Sequence, residues 1–451
     1  MSKYSKTKKS AKSAKSTKSA KSAKSAKSAK SIKIIEIEES SINHISADSS
    51  TNTSVLMLNS NTDSIENFKK YEFKKYCSRY SFTPFIFDKV KRIVVLGDIH
   101  GDYDLAIKLL TISKVAKIKK STDSANKSKK GHSKLDLSSE NDELELEWIG
   151  KDTYVVQVGD QIDRCRPVGS KTCDNPNTIR LSDDENSDLK ILKLFTKLHE
   201  AAKKDGGAVI SLLGNHELMN SLGETQYVSF VGLKEIFEKY RVDGIEFNDG
   251  ADARKHAFKP GNKYANLLGC SRNAAVIIGS NLFVHAGLID TFVEKIGLDD
   301  LNDFESVNIL IKKWLLGLVN TNDINTLVKS QDSMFWTRIL GSIPAGKPME
   351  YEECKNNITN VLKLFNINGM IVGHTPQSFL FNKDINATCS NKIWRVDNGS
   401  SKAFNPYDKH YLDHGKQHHN RRPQYLEILN DTEFNIYDEN GEINGENGKI
   451  N

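Results

Sequence analysis

The chain has 451 residues, 38% of them hydrophobic, and a formal net charge of +6, which suits one large domain or two ordinary domains plus tails. Twelve Lys and no acidic residue lie in residues 1–33, so the remaining chain has a net charge of −6 and only one tail is basic. No apolar run approaches the roughly 20 residues of a membrane helix, and the N-terminus lacks the apolar segment of a signal peptide. We therefore predict an intracellular protein without a membrane span.

A basic, low-complexity segment opens the chain, and residues 10–31 repeat the tripeptide Lys-Ser-Ala. A Lys at every third position does not stay on one face of a helix with 3.6 residues per turn, and the like charges repel one another. With the Ser/Asn/Thr-rich residues that follow, this segment predicts a disordered tail over residues 1–64. Two roles stay open for it, a solubilising tail or weak, salt-sensitive binding to a polyanion. A Lys-rich tail also resembles an import signal, so the cytoplasm and the nucleus both stay open.

The six cysteines lie far apart along the chain, and no Cys-x-x-Cys pair occurs. So few cysteines in a chain of this length are typical of an intracellular protein with reduced thiols. Cys165 and Cys173 are the one close pair, and we expect free thiols in a loop there rather than a local disulfide.

Hydrophobic patterns from Ile65 onward predict strands and helices in alternation, which is typical of an α/β sheet with ligands at the carboxyl ends of its strands. A helix near Ile65 comes first. The predicted strands are 92–96, 153–158, 208–213, 281–284, 369–372 and 392–396, and the main helices are 104–115, 188–204 and 301–320. The last helix either caps the site or packs in the core. We predict a catalytic domain over 65–430, with polar surface insertions at about 117–145 and 166–187, and an acidic, flexible tail over 431–451.

Five short motifs each follow an apolar run and open into a loop. They are Gly97-Asp98-Ile99-His100-Gly101-Asp102, Gly159-Asp160-Gln161-Ile162-Asp163-Arg164, Gly214-Asn215-His216-Glu217, His285-Ala286-Gly287 and Gly373-His374-Thr375. One such motif is weak, because a lone His is more often a packed core residue than a ligand. Five in this order at strand ends are hard to explain by packing alone.

These motifs predict two metal ions side by side. The expected ligands are Asp98, His100, Asp160, Asn215, His285 and His374. Asp98 and His100 lie one residue apart and can reach one ion, Asp160 is the natural bridge, and the other three ligands would hold the second ion. Mixed oxygen and nitrogen ligation suits Mn, Fe or Zn better than Ca, and Mn is the expected metal.

Three further residues of the motifs match the remaining needs of phosphate-ester hydrolysis. The planar guanidinium of Arg164 is a candidate phosphate clamp. His216 can point at the leaving group as a general acid, with Asp163 orienting it. No Ser or Cys nucleophile with an adjacent base is present, so we expect direct attack by a hydroxide bound between the two metals rather than a covalent intermediate.

This set of motifs resembles the phosphoprotein phosphatases of the calcineurin-like metallophosphoesterase superfamily, and most of all their Shewanella-like branch. The resemblance runs from about residue 92 to 429 and rests on the segments 156–164, 212–220, 283–288, 371–377 and 395–400. It implies a β-sandwich flanked by helices, a di-metal centre and hydrolysis of phosphomonoesters on proteins. It also implies a second phosphate-binding Arg, for which the segment Phe335-Trp336-Thr337-Arg338 makes Arg338 the candidate.

The chain departs from the eukaryotic Ser/Thr phosphatases in lacking their Ser-Ala-Pro-Asn-Tyr-Cys element, and Cys165 stands where most relatives have Gly. We predict a metal-dependent protein phosphatase, with phospho-Tyr and phospho-Ser/Thr substrates both open. The main alternative is a related hydrolase of dinucleoside polyphosphates or other small phosphoesters, although such enzymes usually have Asp where this chain has Glu217. Superfamily nucleases usually lack the Asp163-Arg164 pair. A non-enzymatic module would be expected to have lost ligands, and all six are present.

Overall fold

The computed structural model describes residues 62–119, 146–168, 171–174, 186–380, 382–408 and 421–443. Residues 1–61, most of both polar insertions and residues 444–451 lie outside this part of the chain. The predictions of a disordered basic tail and of polyanion binding fall there, so both stay predictions. Among the described residues, no helix combines the length and the apolar character that crossing a bilayer requires.

Two large β-sheets form the centre of the described fold. Its strands are β1 (Ile86–Phe87), β2 (Arg92–Leu96), β3 (Ala116–Ile118), β4 (Leu146–Trp148), β5 (Tyr154–Gln157), β6 (Ala208–Leu212), β7 (Arg272–Asn273), β8 (Ala275–Ile278), β9 (Asn281–Val284), β10 (Gly369–Val372), β11 (Asn386–Thr388), β12 (Ile393–Arg395), β13 (Tyr425–Leu429), β14 (Glu433–Asp438) and β15 (Gly441–Glu442). One sheet has the order β15-β14-β13-β2-β5-β6-β7 and the other β1-β8-β9-β10-β12-β11. In the first sheet β2, β5, β6 and β7 are parallel, and in the second β9, β10 and β12 are parallel.

Side chains from the facing surfaces of both sheets share one buried cluster. Ile93 and Val95 of β2 lie in it together with Phe283 of β9 and Ile371 of β10. Side chains alternate between the faces of a strand, so Val94 and Leu96 point to the other side and pack against helices. Strands that are apolar on both faces are expected when both faces are covered. The expectation of a β-sandwich flanked by helices is therefore confirmed.

Helices cover the outer face of each sheet. The helices are α1 (Thr62–Asn67, the π-helical Phe68–Glu72 and Phe73–Tyr76), α2 (Tyr103–Ile112), α3 (Asp188–Ala202), α4 (Asn215–Ser221), α5 (Phe230–Lys239), α6 (Gly250–Phe258), α7 (Lys263–Ser271), α8 (Asp290–Ile296), α9 (Leu301–Leu315), α10 (Asn325–Lys329), α11 (Ile339–Ser342) and α12 (Glu352–Leu364). The apolar faces of α2 and α3 pack on the seven-stranded sheet. Those of α1, α7, α9 and α12 join the cluster over the six-stranded sheet.

Helix α9 resolves the two alternatives that the sequence leaves for residues 301–320. It packs against α1 and α7, with Val307, Ile311 and Trp314 buried. This is core packing and not a cap over the site. The helix ends at Leu315 and not at the predicted residue 320, so Leu318 lies beyond it and is 39% exposed.

Two predicted boundaries are corrected. The first insertion starts later than the predicted residue 117, because residues 117 and 118 belong to β3. This strand pairs antiparallel with β4, which follows the insertion. The acidic tail does not begin at residue 431, because β14 pairs with β13 along its length and β15 pairs with β14. These edge strands have half-exposed or exposed side chains, so their hydrophobic pattern is weak.

The cysteines also differ from the prediction of free thiols. All six pair as disulfides, Cys77–Cys270, Cys165–Cys173 and Cys354–Cys389, with Cα–Cα distances of 5.4, 5.9 and 5.5 Å. These separations lie in the range that a disulfide spans. Two of the pairs are 193 and 35 residues apart in sequence. Only the folded chain brings them together, which is why spacing along the sequence does not reveal them.

A buried lysine in α9 predicts a pH dependence of stability. Lys312 donates to the carbonyls of Gly269 and Arg272 at 3.1 and 2.5 Å. Burial, followed by the nearby Arg272, lowers its pKa from 10.5 to about 7. Between these pH values the unfolded chain holds a proton that the folded chain has lost, so the free energy of unfolding rises with pH.

We expect this rise, at most about 1.4 kcal/mol per pH unit, to disappear in Lys312→Met when urea unfolding is compared at pH 7 and pH 9. Lys234→Met, which changes an exposed lysine, is the control and should keep the wild-type pH dependence. An identical pH dependence in wild type and Lys312→Met would contradict this effect.

Candidate metal centre

The sequence motifs meet at one edge of the sandwich, because each follows the carboxyl end of a strand. Asp98 follows β2, Asp160 follows β5 and Asn215 opens α4 directly after β6. His285 and His374 follow β9 and β10 of the other sheet. Parallel strands end at the same edge, so residues far apart in sequence converge there.

Asp160 lies at the centre of the cluster. Its Oδ2 is 3.3 Å from His285 Nε2, 3.8 Å from His100 Nε2 and 3.9 Å from His216 Nε2. Its Oδ1 accepts a hydrogen bond of 3.0 Å from the backbone N–H of His216. Two groups of buried ligand atoms, each within 4.8 Å of one another, share this carboxylate: His100, Asp160 and His216, and Asp160, His285 and His374.

Asn215 and Asp98 complete the cluster. Asn215 Oδ1 lies 2.9 Å from both His285 Nε2 and His374 Nδ1. Asp98 Oδ2 lies 3.8 Å from His100 Nε2 and accepts a 3.1 Å hydrogen bond from the backbone N–H of His374. The structure therefore brings together all six side chains that the sequence predicts as ligands.

Backbone carbonyls orient the three histidine rings. His285 Nδ1 lies 2.9 Å from Val158 O, and His374 Nε2 lies 3.0 Å from Trp336 O. His100 Nδ1 contacts Ile162 O at 3.3 Å. A carbonyl only accepts hydrogen bonds, so the ring nitrogen facing it carries the proton and the other nitrogen offers its lone pair to the cluster. This is the usual arrangement around metal-binding histidines.

Electrostatics at the cluster match the needs of a cation site. Burial, followed by the charges of Arg166 and Arg338 respectively, lowers the pKa of His100 and of His374 well below the usual range. Both rings are therefore neutral, which is the form that binds a metal. Burial and then the neighbouring Asp397 raise the pKa of Asp98 well above its usual range.

Two carboxylate oxygens without hydrogen-bond partners indicate whether metal ions fit here. Asp98 Oδ1 and Asp397 Oδ2 are buried and have no hydrogen-bond partner within the described residues. Burying a carboxylate without a partner costs on the order of several kcal/mol of folding free energy. Bound cations would remove this cost, so the residues present are compatible with a binuclear metal centre.

The backbone at the cluster adopts unusual conformations. His100, Asp160, Asp163 and His374 have φ values of 46°, 53°, 73° and 66°, in the left-handed region. Such conformations cost about 1–3 kcal/mol each and persist where the surrounding structure enforces them, often at functional sites. The third motif has Gly at position 214 because a Cβ there would collide with the Asp160 carboxylate.

The pair His216 and Asp163 lies beside the ligand cluster. His216 Nδ1 is 2.7 Å from Asp163 Oδ2, which leaves Nε2 directed at Asp160. Both side chains are buried, and the ring of Tyr227 packs on His216 with 5.0 Å between centroids. Geometry alone allows His216 to act as a proton donor or as a further ligand of the first group.

The two candidate arginines reach the same region from different segments. Arg164 is buried, and its Nη1 lies 3.8 Å from Asp102 Oδ2, on the loop that carries Asp98. Half-buried Arg338 precedes α11, and its Nη1 donates to the carbonyl of His374 at 3.0 Å. The structure thus places one guanidinium beside the first motif and the other beside the last.

Several buried residues that support the cluster have no role in the sequence prediction. The Glu217 carboxylate accepts backbone hydrogen bonds from Gly214, Asp160 and Gln161 at 2.7, 3.0 and 2.8 Å, and so ties the second and third motifs together. The sequence feature that indicates a role for Glu217 is its position in the Gly-Asn-His-Glu motif. Asp188 and Arg254, which contact Asp163, lie outside every motif.

Comparison with known proteins agrees with this geometry. The model of the calcineurin-like phosphoesterase family matches residues 91–378. An uncharacterized protein of Acanthamoeba polyphaga mimivirus is 35% identical over 255 residues, covering 54% of this chain and 96% of that protein. Shewanella-like protein phosphatase 2 of Arabidopsis thaliana is 26% identical over 352 residues, covering 70% and 73%. Shewanella-like protein phosphatase 1 of Plasmodium berghei is 26% identical over 349 residues, covering 76% and 74%.

Among solved structures, a cold-active protein-tyrosine phosphatase of a psychrophilic Shewanella species superposes with a TM-score of 0.51 at 19% identity. The match covers 80% of this chain and 81% of that one and shows a shared fold. The chain belongs to the calcineurin-like phosphoesterase family. The resemblance to that superfamily and to its Shewanella-like phosphatases, expected from the motifs, is confirmed.

Proposed function

We propose that this protein is a metal-dependent phosphatase that hydrolyses phosphomonoesters on phosphoproteins. The observation that carries the proposal is the position of Asp160, which is shared by two groups of buried ligand atoms and lies beside the hydrogen-bonded His216–Asp163 pair. Hydrolysis of a phosphate ester requires charge neutralisation, a nucleophile at neutral pH and a proton for the leaving oxygen. These neighbouring elements match all three requirements.

Two divalent ions are the proposed cofactors. In this proposal the ligands are Asp98 and His100 for one ion, Asn215, His285 and His374 for the other, and Asp160 between them. These residues would hold two ions, which would supply charge neutralisation for the phosphate and an activated water as nucleophile. Oxygen and nitrogen donors favour Mn, Fe or Zn over Ca, and Mn is the first metal to test.

Arg164 and Arg338 are proposed to bind the substrate phosphate. A guanidinium presents two N–H groups in the plane that matches two phosphate oxygens. Each arginine is already held against a loop that carries a proposed ligand, Arg164 by Asp102 and Arg338 by the carbonyl of His374. Substrate binding would therefore require little reorganisation of either side chain.

His216 is proposed to protonate the leaving oxygen. Hydrogen bonding of Nδ1 to Asp163 fixes the ring with Nε2 3.9 Å from Asp160 Oδ2. A general acid has to lie within hydrogen-bond reach of the atom that it protonates. Burial of the pair excludes water from competing for the Asp163 carboxylate.

Two relatives named protein phosphatases support a phosphoprotein substrate. The preference between phospho-Tyr and phospho-Ser/Thr follows from neither the ligand cluster nor the arginines, since both bind only the phosphate. We therefore propose the phosphoprotein class as the substrate and leave the amino acid to experiment.

The proposal is tested by phosphate release from a phospho-Tyr peptide, a phospho-Thr peptide and diadenosine tetraphosphate, each with and without Mn²⁺. We expect metal-dependent release from at least one peptide, and the ratio between peptides sets the preference. Asp98→Asn should remove this activity, because it replaces a negatively charged ligand by a neutral amide that binds a cation more weakly. Asp205→Asn changes an exposed carboxylate to an amide and should leave the activity unchanged. Cleavage of the dinucleotide without release from either peptide would overturn the phosphoprotein substrate in favour of the alternative hydrolase.

A further inference from the structure

A closed network of buried side chains holds Asp163 of the His216–Asp163 pair. Asp163 uses Oδ2 for His216, and its Oδ1 accepts a 2.9 Å hydrogen bond from Asn220 Nδ2. Arg254, on α6, donates from Nε to Asn220 Oδ1 at 2.6 Å. Its Nη2 lies 2.8 Å from Asp188 Oδ2 and 3.5 Å from Asp163 Oδ1.

Asp188 closes the network through the backbone. Its Oδ1 accepts a 3.1 Å hydrogen bond from the N–H of Asp163, a residue in the left-handed conformation. Asp163 is therefore held at its backbone by Asp188 and at its carboxylate by Asn220, and Arg254 contacts both of these residues. Each of the three comes from a different helix, α3, α4 or α6.

Charge explains why an arginine is needed at this position. The carboxylates of Asp163 and Asp188 are both buried, and Arg254, 1% exposed, forms ion pairs with both. Two carboxylates in such proximity repel each other unless a cation lies between them. The guanidinium is also 4.8 Å from the centroid of the Phe258 ring, within the range of a cation–π contact. A neutral side chain would leave the repulsion between the two carboxylates uncompensated and both side chains free to move.

We propose that Arg254 is a positioning residue for proton donation by His216, acting through Asp163. The inference rests on the proposed function, in which His216 protonates the leaving oxygen. Arg254 does not contact the proposed metal ligands in any of its hydrogen bonds or ion pairs. Its loss should therefore impair leaving-group protonation more than it impairs metal binding or nucleophilic attack.

Leaving-group dependence separates a positioning role from a merely structural one. A weakly acidic phenol needs a proton as it departs, whereas a strongly acidic phenol departs as the anion. For Arg254→Met in the metal-loaded, full-length protein, we expect kcat with phenyl phosphate to fall about 10- to 100-fold and kcat with 2,4-dinitrophenyl phosphate to change less than about threefold. Metal content should stay at the wild-type level.

Two further variants keep the test informative if Arg254→Met folds poorly. Arg254→Lys keeps the charge but cannot bridge Asp188 and Asn220 together, so it should show the same selective loss to a smaller extent. Arg395→Met removes another fully buried arginine, one that contacts Ile343 and Asn386 and not Asp163. Any loss that it causes should be equal for both substrates.

The outcomes distinguish this inference from the proposed function. Hydrolysis by the wild type with an equal loss for both substrates in Arg254→Met and Arg254→Lys would overturn the positioning role and leave the phosphatase standing. Absence of metal-dependent hydrolysis of either aryl phosphate by the wild type would overturn the phosphatase, and the role of Arg254 with it. A selective loss with the poor leaving group supports both.

Discussion

Asp160→Asn is expected to abolish metal-dependent phosphate release. Both groups of ligand atoms include the Asp160 carboxylate, so the substitution weakens the binding of both ions. Charge neutralisation and the nucleophile are then lost together. The fold should survive, because an Asn oxygen can still accept the hydrogen bond that Oδ1 receives from the His216 N–H. Residual activity should therefore lie below detection in a protein that unfolds as cooperatively as the wild type.

Two measurements check this result, phosphate release from the preferred phosphopeptide and metal content by elemental analysis. We expect fewer than two ions per chain in Asp160→Asn. Asp205→Asn makes the same chemical change at an exposed position and should behave as the wild type. A variant that keeps two ions and more than about a tenth of the rate would show that Asp160 does not have the bridging role that two-metal hydrolysis requires.

His216→Asn is expected to lower kcat about 10²- to 10⁴-fold with a poor leaving group, which is the usual contribution of a general acid. The rate should not fall to zero, since the proposed ligands of both ions are intact. Asn has no proton to give at neutral pH but can still hydrogen-bond to Asp163, so the network behind it is preserved. With a good leaving group, the loss should be much smaller.

Metal content of the same variant decides between the two roles that the geometry allows for His216. Its Nε2 lies within 4.8 Å of the ligand atoms of His100 and Asp160. Two ions per chain in His216→Asn, with a rate loss that depends on the leaving group, is the expected result. Loss of one ion, with equal rate loss for all leaving groups, would instead identify His216 as a metal ligand.

The sequence predicts that these side chains lie close together, because they follow strongly patterned strands. Buried strands such as β2 and β10 are short apolar runs, and parallel strands present their carboxyl ends at one edge of a sheet. The local pattern therefore predicts that Asp98 and His374 lie in one cluster, although they are 276 residues apart in sequence. Arg338 is a candidate only through the family resemblance, since nothing in its own segment distinguishes it.

Features that depend on distant contacts could not be predicted. Arg254 lies on an ordinary helix, and its contacts with Asp188 and Asn220 exist only in the folded chain. The disulfide Cys77–Cys270 joins residues 193 positions apart, and no spacing rule indicates it. Edge strand β14 lacks a buried face, so its residues resemble a polar tail.

The most direct test of the two-metal site is a titration of metal-free protein with Mn²⁺ in which binding and phosphate release are followed in the same sample. The proposed site predicts that two ions bind per chain and that activity appears only as the second ion binds. Asp160→Asn should show neither the second binding event nor the activity. Full activity with a single ion bound, or the absence of binding of Mn²⁺, Fe²⁺ and Zn²⁺ alike by the wild type, would contradict the binuclear centre.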